Sequence, residues 1–119
     1  MHDKPILSEV LKNLRSAKNL SLRQVERKSG VSNAYLSQLE NGKIKEPSPH
    51  ILHKLAEVYD TPYNDLMKLV GYIKEQKGEN VSKKIMSDVA FKALSELKDD
   101  EKEAVLEYIE FIRNKRKKK

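Results

Sequence analysis

The residues whose types and spacing bear on chemistry fall into four groups, and three of them lead nowhere. His50 and His53 stand three apart, so a helix would bring both imidazoles to one side. The 119-residue chain has no cysteine, and no third ligand stands near the pair, so no metal site is expected. Ser32 and Ser37 lack a His or Asp at a workable spacing, and a hydroxyl without a base is not a nucleophile. The four glycines do not cluster into a phosphate-cradling loop. These features point away from an enzyme and give no reason to expect a cofactor. The fourth group is Asn33, Ala34, Ser37 and Gln38. On a helix they share one face, and each is short or carries an amide. Such side chains fit against base edges in the major groove of duplex DNA, where a bulky charged group would hold the helix away.

Two short helices must position that face. The first opens at Ser21-Leu22-Arg23-Gln24, a capping box in which Ser21 and Gln24 satisfy each other's orphan backbone donors. It ends at Gly30, where a left-handed residue is easily accommodated. The second takes Ser32 as N-cap, runs through Leu36 and Leu39, and stops at Asn41-Gly42. The connecting turn is too tight for an antiparallel pair, so the helices cross steeply. Val25, Val31, Leu36 and Leu39 are then expected to face a core.

Three further helices complete that core. Leu7, Val10, Leu11 and Leu14 recur with the period of one helix face. Ser48-Pro49 starts another helix with an N-cap and a proline at the first helical position, and Ile51, Leu52, Leu55, Val58 and Tyr59 follow. Thr61-Pro62 repeats the device ahead of Leu66, Leu69 and Val70. No stretch alternates with period two, so the expected fold is all-α. It comprises a five-helix domain over residues 1–73, a linker over 74–84, and a C-terminal helical segment over 85–119.

Composition suits this plan. The chain is 38% hydrophobic and 35% charged, with a net charge of +6. Residues 1–73 carry 11 Lys and Arg against 8 Asp and Glu, residues 74–112 carry 7 against 10, and residues 113–119 carry six positive charges and no negative one. A basic domain is expected of a nucleic-acid binder, because neutralising phosphates releases counterions. A lysine-rich solvated surface is the plainer reading of the same numbers. No apolar run approaches the ~18 residues of a membrane span. The polar start, Met1-His2-Asp3-Lys4-Pro5, does not read as a signal peptide, and a cytoplasmic location is expected.

The stretch from Leu20 to Gly42 resembles the phage-repressor, or Xre, type of helix-turn-helix. Gly30-Val31-Ser32, Tyr35-Leu36-Ser37 and Leu39-Glu40-Asn41-Gly42 carry the resemblance, which extends over all five helices, residues 6–73. It implies a phage-repressor-like fold and binding to double-stranded DNA. It places Asn33, Ala34 and Gln38 at base-reading positions, with Ser37 alongside, and Asn41, Lys43 and Lys45 at phosphates. It also makes Arg15 and Glu40 a structural ion pair. Arg23 and Tyr35 join the phosphate candidates, although Tyr35 serves equally well as a cover over the flank of its helix beside Leu39. Arg27 and Lys28 read as solvated charges. One departure stands out: the family often begins its second helix with a glutamine that bonds a phosphate, and here Leu22 holds that place.

The C-terminal segment carries Val105, Tyr108, Ile109 and Ile112 at helical spacing. This stripe either folds back on the first domain or forms a dimer seam, and the charged linker favours the seam. The expectation is a homodimeric transcriptional repressor reading a palindrome, with Leu66 and Val70 of the fifth helix joining the C-terminal stripe in dimerisation. Two rivals stand beside it. One is an antitoxin-type DNA-binding protein whose C-terminal segment takes a protein partner; the other is an interaction adaptor that does not read DNA. RNA is disfavoured, because aromatic residues able to stack unpaired bases are few and scattered.

Overall fold

The computed structural model describes residues 6–117. The N-terminal stretch that bears on a signal peptide, residues 1–5, and the last two lysines of the tail lie outside the described residues. Among the described residues there are seven helices and no strand: α1 (Leu7–Ala17), α2 (Leu22–Ser29), α3 (Asn33–Glu40), α4 (Pro49–Tyr59), α5 (Tyr63–Leu69), α6 (Val81–Ser95) and α7 (Asp99–Lys117). No helix among them is long and apolar enough to cross a membrane. The chain divides into two compact units, Met1–Val89 and Ala90–Lys119.

Local chemistry starts the helices much as expected. Ser21 Oγ accepts from the Gln24 N–H while Gln24 Oε1 accepts from the Ser21 N–H, closing the capping box. Ser32 and Ser48 cap α3 and α4 by accepting from the Tyr35 and Ile51 N–H groups. Gly30 ends α2 at φ 82°, a conformation in which any Cβ would be strained. The start of α5 departs from expectation. Pro62 itself is the N-cap and supplies no side-chain bond, and the Thr61 hydroxyl turns back to donate to the Tyr59 carbonyl at 3.4 Å.

In the first unit, α3 packs on α1 and α2, and α4 packs on α2 and α5. Val10, Leu11, Leu14, Val25, Leu36, Leu39, Leu52, Leu55 and Leu66 meet in one buried core. Burying each such side chain contributes roughly 1.5–3 kcal/mol, and this sum must offset the conformational entropy of ordering the chain. Val81 and Ile85 of α6 belong to the same core, each 1% exposed. The stretch 74–84, expected as a linker, therefore contains the first turn of a core helix.

Several of the polar residues that made it resemble a linker are tied down. Glu79 accepts from Lys68 Nζ at 2.9 Å and from the Gln76 N–H at 2.9 Å. Glu75 accepts from the Val81 N–H, Asn80 Oδ1 accepts from Ser82 Oγ and the Lys83 N–H, and Lys84 reaches the buried carboxylate of Asp65 at 2.6 Å. The Gln76 N–H and Lys68 hold the Glu79 carboxyl below the usual carboxylate range. Its contribution is thus complete above that range and is lost as pH falls through the lowered value.

In the second unit, α7 has no buried residue, and Val105 alone of its apolar side chains is partly covered more than its neighbours. The basic run from Arg113 continues the helix to Lys117.

Because α6 completes the core, a chain ending at Tyr72 is expected to be less stable than one ending at Val89 by about 3 kcal/mol or more, from Val81 and Ile85 together. Urea unfolding of the two shortened chains checks this; equal midpoints would mean that α6 rests on a core already complete.

Candidate nucleic-acid interface

The outer side of α3 is where the expected base-reading residues stand. Ala34 and Gln38 are exposed, and Asn33 and Ser37 are half-buried. The inner side is anchored by Leu36 and Leu39, 2% and 1% exposed. Apolar residues at a spacing of three thus fix the roll of the helix, and the amide and small side chains are left at the surface.

The chain after α3 folds back onto it. Gly42 turns at φ 79°, and the Lys43 and Ile44 N–H groups both donate to the Gln38 carbonyl, at 2.9 and 3.4 Å. Ile44 packs against the core, while Lys43 and Lys45 on either side of it are exposed. The loop therefore presents its two ammonium groups from a backbone held at three points. The Asn41 amide donates to Ser37 Oγ at 3.4 Å, which links a phosphate candidate to a base-reading one. A further tie had no signal in the sequence: the Tyr72 hydroxyl donates to the Pro47 carbonyl at 2.9 Å, across 25 positions, and steadies the far end of this loop.

Arg23 is exposed on α2, as are Arg27 and Lys28. Tyr35 is half-buried against the core, and burial pushes its phenol up from the ordinary value. Leu22, standing where the resembling family often has glutamine, also packs on the core. Gln24 does not replace that glutamine, because its carbonyl is engaged in the capping box. His50 and His53 are exposed, and the His53 ring stands edge-on to Tyr63 at 5.2 Å between centroids. Leu66, expected at a dimer surface, is fully buried inside its own protomer. It lies in the core where α5 packs on α4, so it has no surface left for a partner. Val70 remains partly accessible beside Ile44, Leu69 and Val81 on a groove of about 490 Å³.

One ion pair locks α3 in place. Arg15 Nε and Nη2 meet Glu40 Oε2 and Oε1 at 2.7 and 2.8 Å, a bidentate fork. Arg15 Nη1 also donates to the Leu20 carbonyl at 2.9 Å. The Glu40 side chain is 6% exposed and that of Arg15 21%. The hydrogen bond to Glu40 raises the Arg15 pKa, and burial beside the same carboxylate raises that of Tyr59. The guanidinium thus ties together the end of α1, the turn before α2 and the end of α3.

Glu40→Gln leaves the guanidinium facing a neutral amide in a largely dry site. The expected loss is about 3 kcal/mol, the low end for a buried pair broken from one side, since Arg15 keeps some water. A thermal melt checks it; an unchanged midpoint would show that the fork contributes nothing to stability.

The likenesses of the chain to known proteins agree with this geometry. Residues 11–66 match the helix-turn-helix family profile. The HTH-type transcriptional repressor RghR of Bacillus subtilis (strain 168) is 45% identical over 67 residues, covering 56% of this chain and 50% of that protein. An uncharacterised HTH-type transcriptional regulator of Mycobacterium tuberculosis (strain ATCC 25618 / H37Rv) is 31% identical over 80 residues, 67% of this chain and 56% of that one. The chain thus spans about half the length of the curated relatives it matches. A chain of the solved SinR protein/SinI protein complex superposes with a TM-score of 0.50 at 21% identity, over 92% of this chain and 99% of that one; this likeness speaks to the fold. Residues 11–66, with α3 as the second helix of the motif, are thus matched as an Xre-like helix-turn-helix domain.

Proposed function

We propose that the protein is a sequence-specific regulator of transcription that binds double-stranded DNA with α3 in the major groove, acting as a dimeric repressor on a palindromic operator. The observation that carries this reading is the outer face of α3, where Asn33, Ala34, Ser37 and Gln38 lie at the surface beside the exposed Lys43 and Lys45. Base edges call for short or amide side chains on a firmly held helix, and phosphates call for cations at its margin. The likeness to a repressor of Bacillus subtilis supports the sign of regulation.

In this reading Asn33, Ala34, Ser37 and Gln38 discriminate bases, and Arg23, Tyr35, Asn41, Lys43 and Lys45 hold the backbone. A single α3 covers too few base pairs to single out one site in a genome, so two protomers read half-sites about one helical turn, ~34 Å, apart. Such a protein works on chromosomal DNA and hence in the cytoplasm. A second reading, in which the C-terminal segment also takes a protein partner, is favoured by the exposed apolar side chains of α7.

Selection of bound sites from a random duplex pool tests specificity, symmetry and spacing together. On the selected site, Gln38→Ala and Asn33→Ala are expected to cost ~1–3 kcal/mol each and to relax preference at particular base pairs. Lys43→Ala is expected to weaken every duplex alike and to flatten the salt dependence by about one ion. Recovery of no preferred sequence, or equal losses on all duplexes from all three substitutions, would contradict base reading by α3.

A further inference from the structure

Helix α7 carries more apolar surface than a solvated helix has use for. Tyr108 is 63% exposed, Phe111 59% and Ile112 43%, and Tyr108 and Phe111 stack on each other at 6.3 Å. A lone helix is marginal in water, since its packing rather than its propensity supplies most of its stability. Something must cover this face.

The sequence of the face is symmetric about Tyr108. Helical spacing places residues three, four and seven positions away on the side of a given residue. On one arm these are Val105, Ala104 and Glu101; on the other they are Phe111, Ile112 and Lys115. The middle of the face is thus apolar on both arms, and its two ends are oppositely charged. The ends are reinforced by their neighbours, with Asp99 and Asp100 in the first turn and Arg116 and Lys117 in the last. Such polarity also suits the helix's own dipole, but the dipole gives no account of the apolar side chains centred between the two ends.

We propose that the occupant of this face is α7 of a second copy of the chain, paired antiparallel about a two-fold axis through Tyr108. Tyr108 then meets its own counterpart, Ala104 lies opposite Ile112 and Val105 opposite Phe111 of the other copy. Glu101, whose Oε1 is held at the start of the helix by the Lys98 N–H at 2.8 Å, comes beside Lys115. A parallel pair would set Glu101 on Glu101 and Lys115 on Lys115, which like-charge repulsion opposes. An isologous contact of this kind closes on itself and stops at two copies. The inference rests on the reading of the protein as a dimer and adds which helix forms the seam, in which direction and in which register.

The chain has no cysteine, so thiols are introduced without background. Full-length Glu101→Cys and Lys115→Cys are prepared separately, then mixed, and treated with a bismaleimide no longer than a helix diameter. Positions 101 and 115 lie ~21 Å apart along the helix, so in the antiparallel pair neither variant links to itself. The expected result is a covalent dimer in the mixture and at most a trace with either variant alone, with untreated protein dimeric by light scattering. Self-linking of each variant alone would mean a parallel pair and would overturn the proposal. A dimer by scattering that links in neither case would place the seam elsewhere, overturning the proposal while leaving the dimeric reading intact. A monomer would overturn both, and the site selection above would then decide DNA reading on its own.

Discussion

The fork between Arg15 and Glu40 is the constraint on which the presentation of α3 depends. An eight-residue helix has barely two turns and cannot hold its own orientation; cooperativity is too weak at that length. Leu36 and Leu39 fix its roll, but apolar contacts are non-directional and tolerate sliding. A bidentate guanidinium–carboxylate pair is planar and directional. With its third bond to the Leu20 carbonyl, Arg15 sets the end of α3 relative to α1 and to the approach to α2 at once. Desolvating two charges brings little net stability; what it provides here is position.

A division of labour runs through the first unit. Groups that stabilise the fold point inward or to neighbouring loops, and those assigned to DNA make few bonds within the protein. Leu22 illustrates the boundary. At the position where the family resemblance implies a phosphate-bonding glutamine, this chain has a leucine packed on its core. The start of α2 therefore contributes a side chain to the core. The loop after α3 is tied down in a comparable way, with Ile44 sunk between two exposed lysines and Tyr72 bonded to Pro47.

The first unit closes later in the chain than its composition implies. Charge and polarity from Lys74 to Lys84 resemble those of a solvated tether, yet Glu75, Glu79, Asn80 and Lys84 each have a defined partner. Asp65, deeply buried, has its charge compensated by Lys84. Val81 and Ile85 then enter the core. Polar sequence marks flexibility only where its groups bond to water, and here Glu75, Glu79, Asn80 and Lys84 bond to the protein.

The sequence by itself determined the local features: the capping box at Ser21 and Gln24, the serine caps of α3 and α4, the left-handed turn at Gly30, the roll of α1 to α4 and the all-α class. These follow from interactions within four residues and from the 3.6-residue period, both of which a linear chain displays. The face of α3 was legible for the same reason, since a core-facing stripe leaves its complement outside. The pairing of Arg15 with Glu40 was legible only through family resemblance, as nothing local joins positions 25 apart. Tertiary structure alone decided the rest. Leu66 went to the core rather than to a partner, Pro62 rather than Thr61 became the cap of α5, and two apolar residues inside a polar stretch completed the first unit. Each of these outcomes depends on what lies across the fold, because burial and ion pairing are set by distance in space and not along the chain.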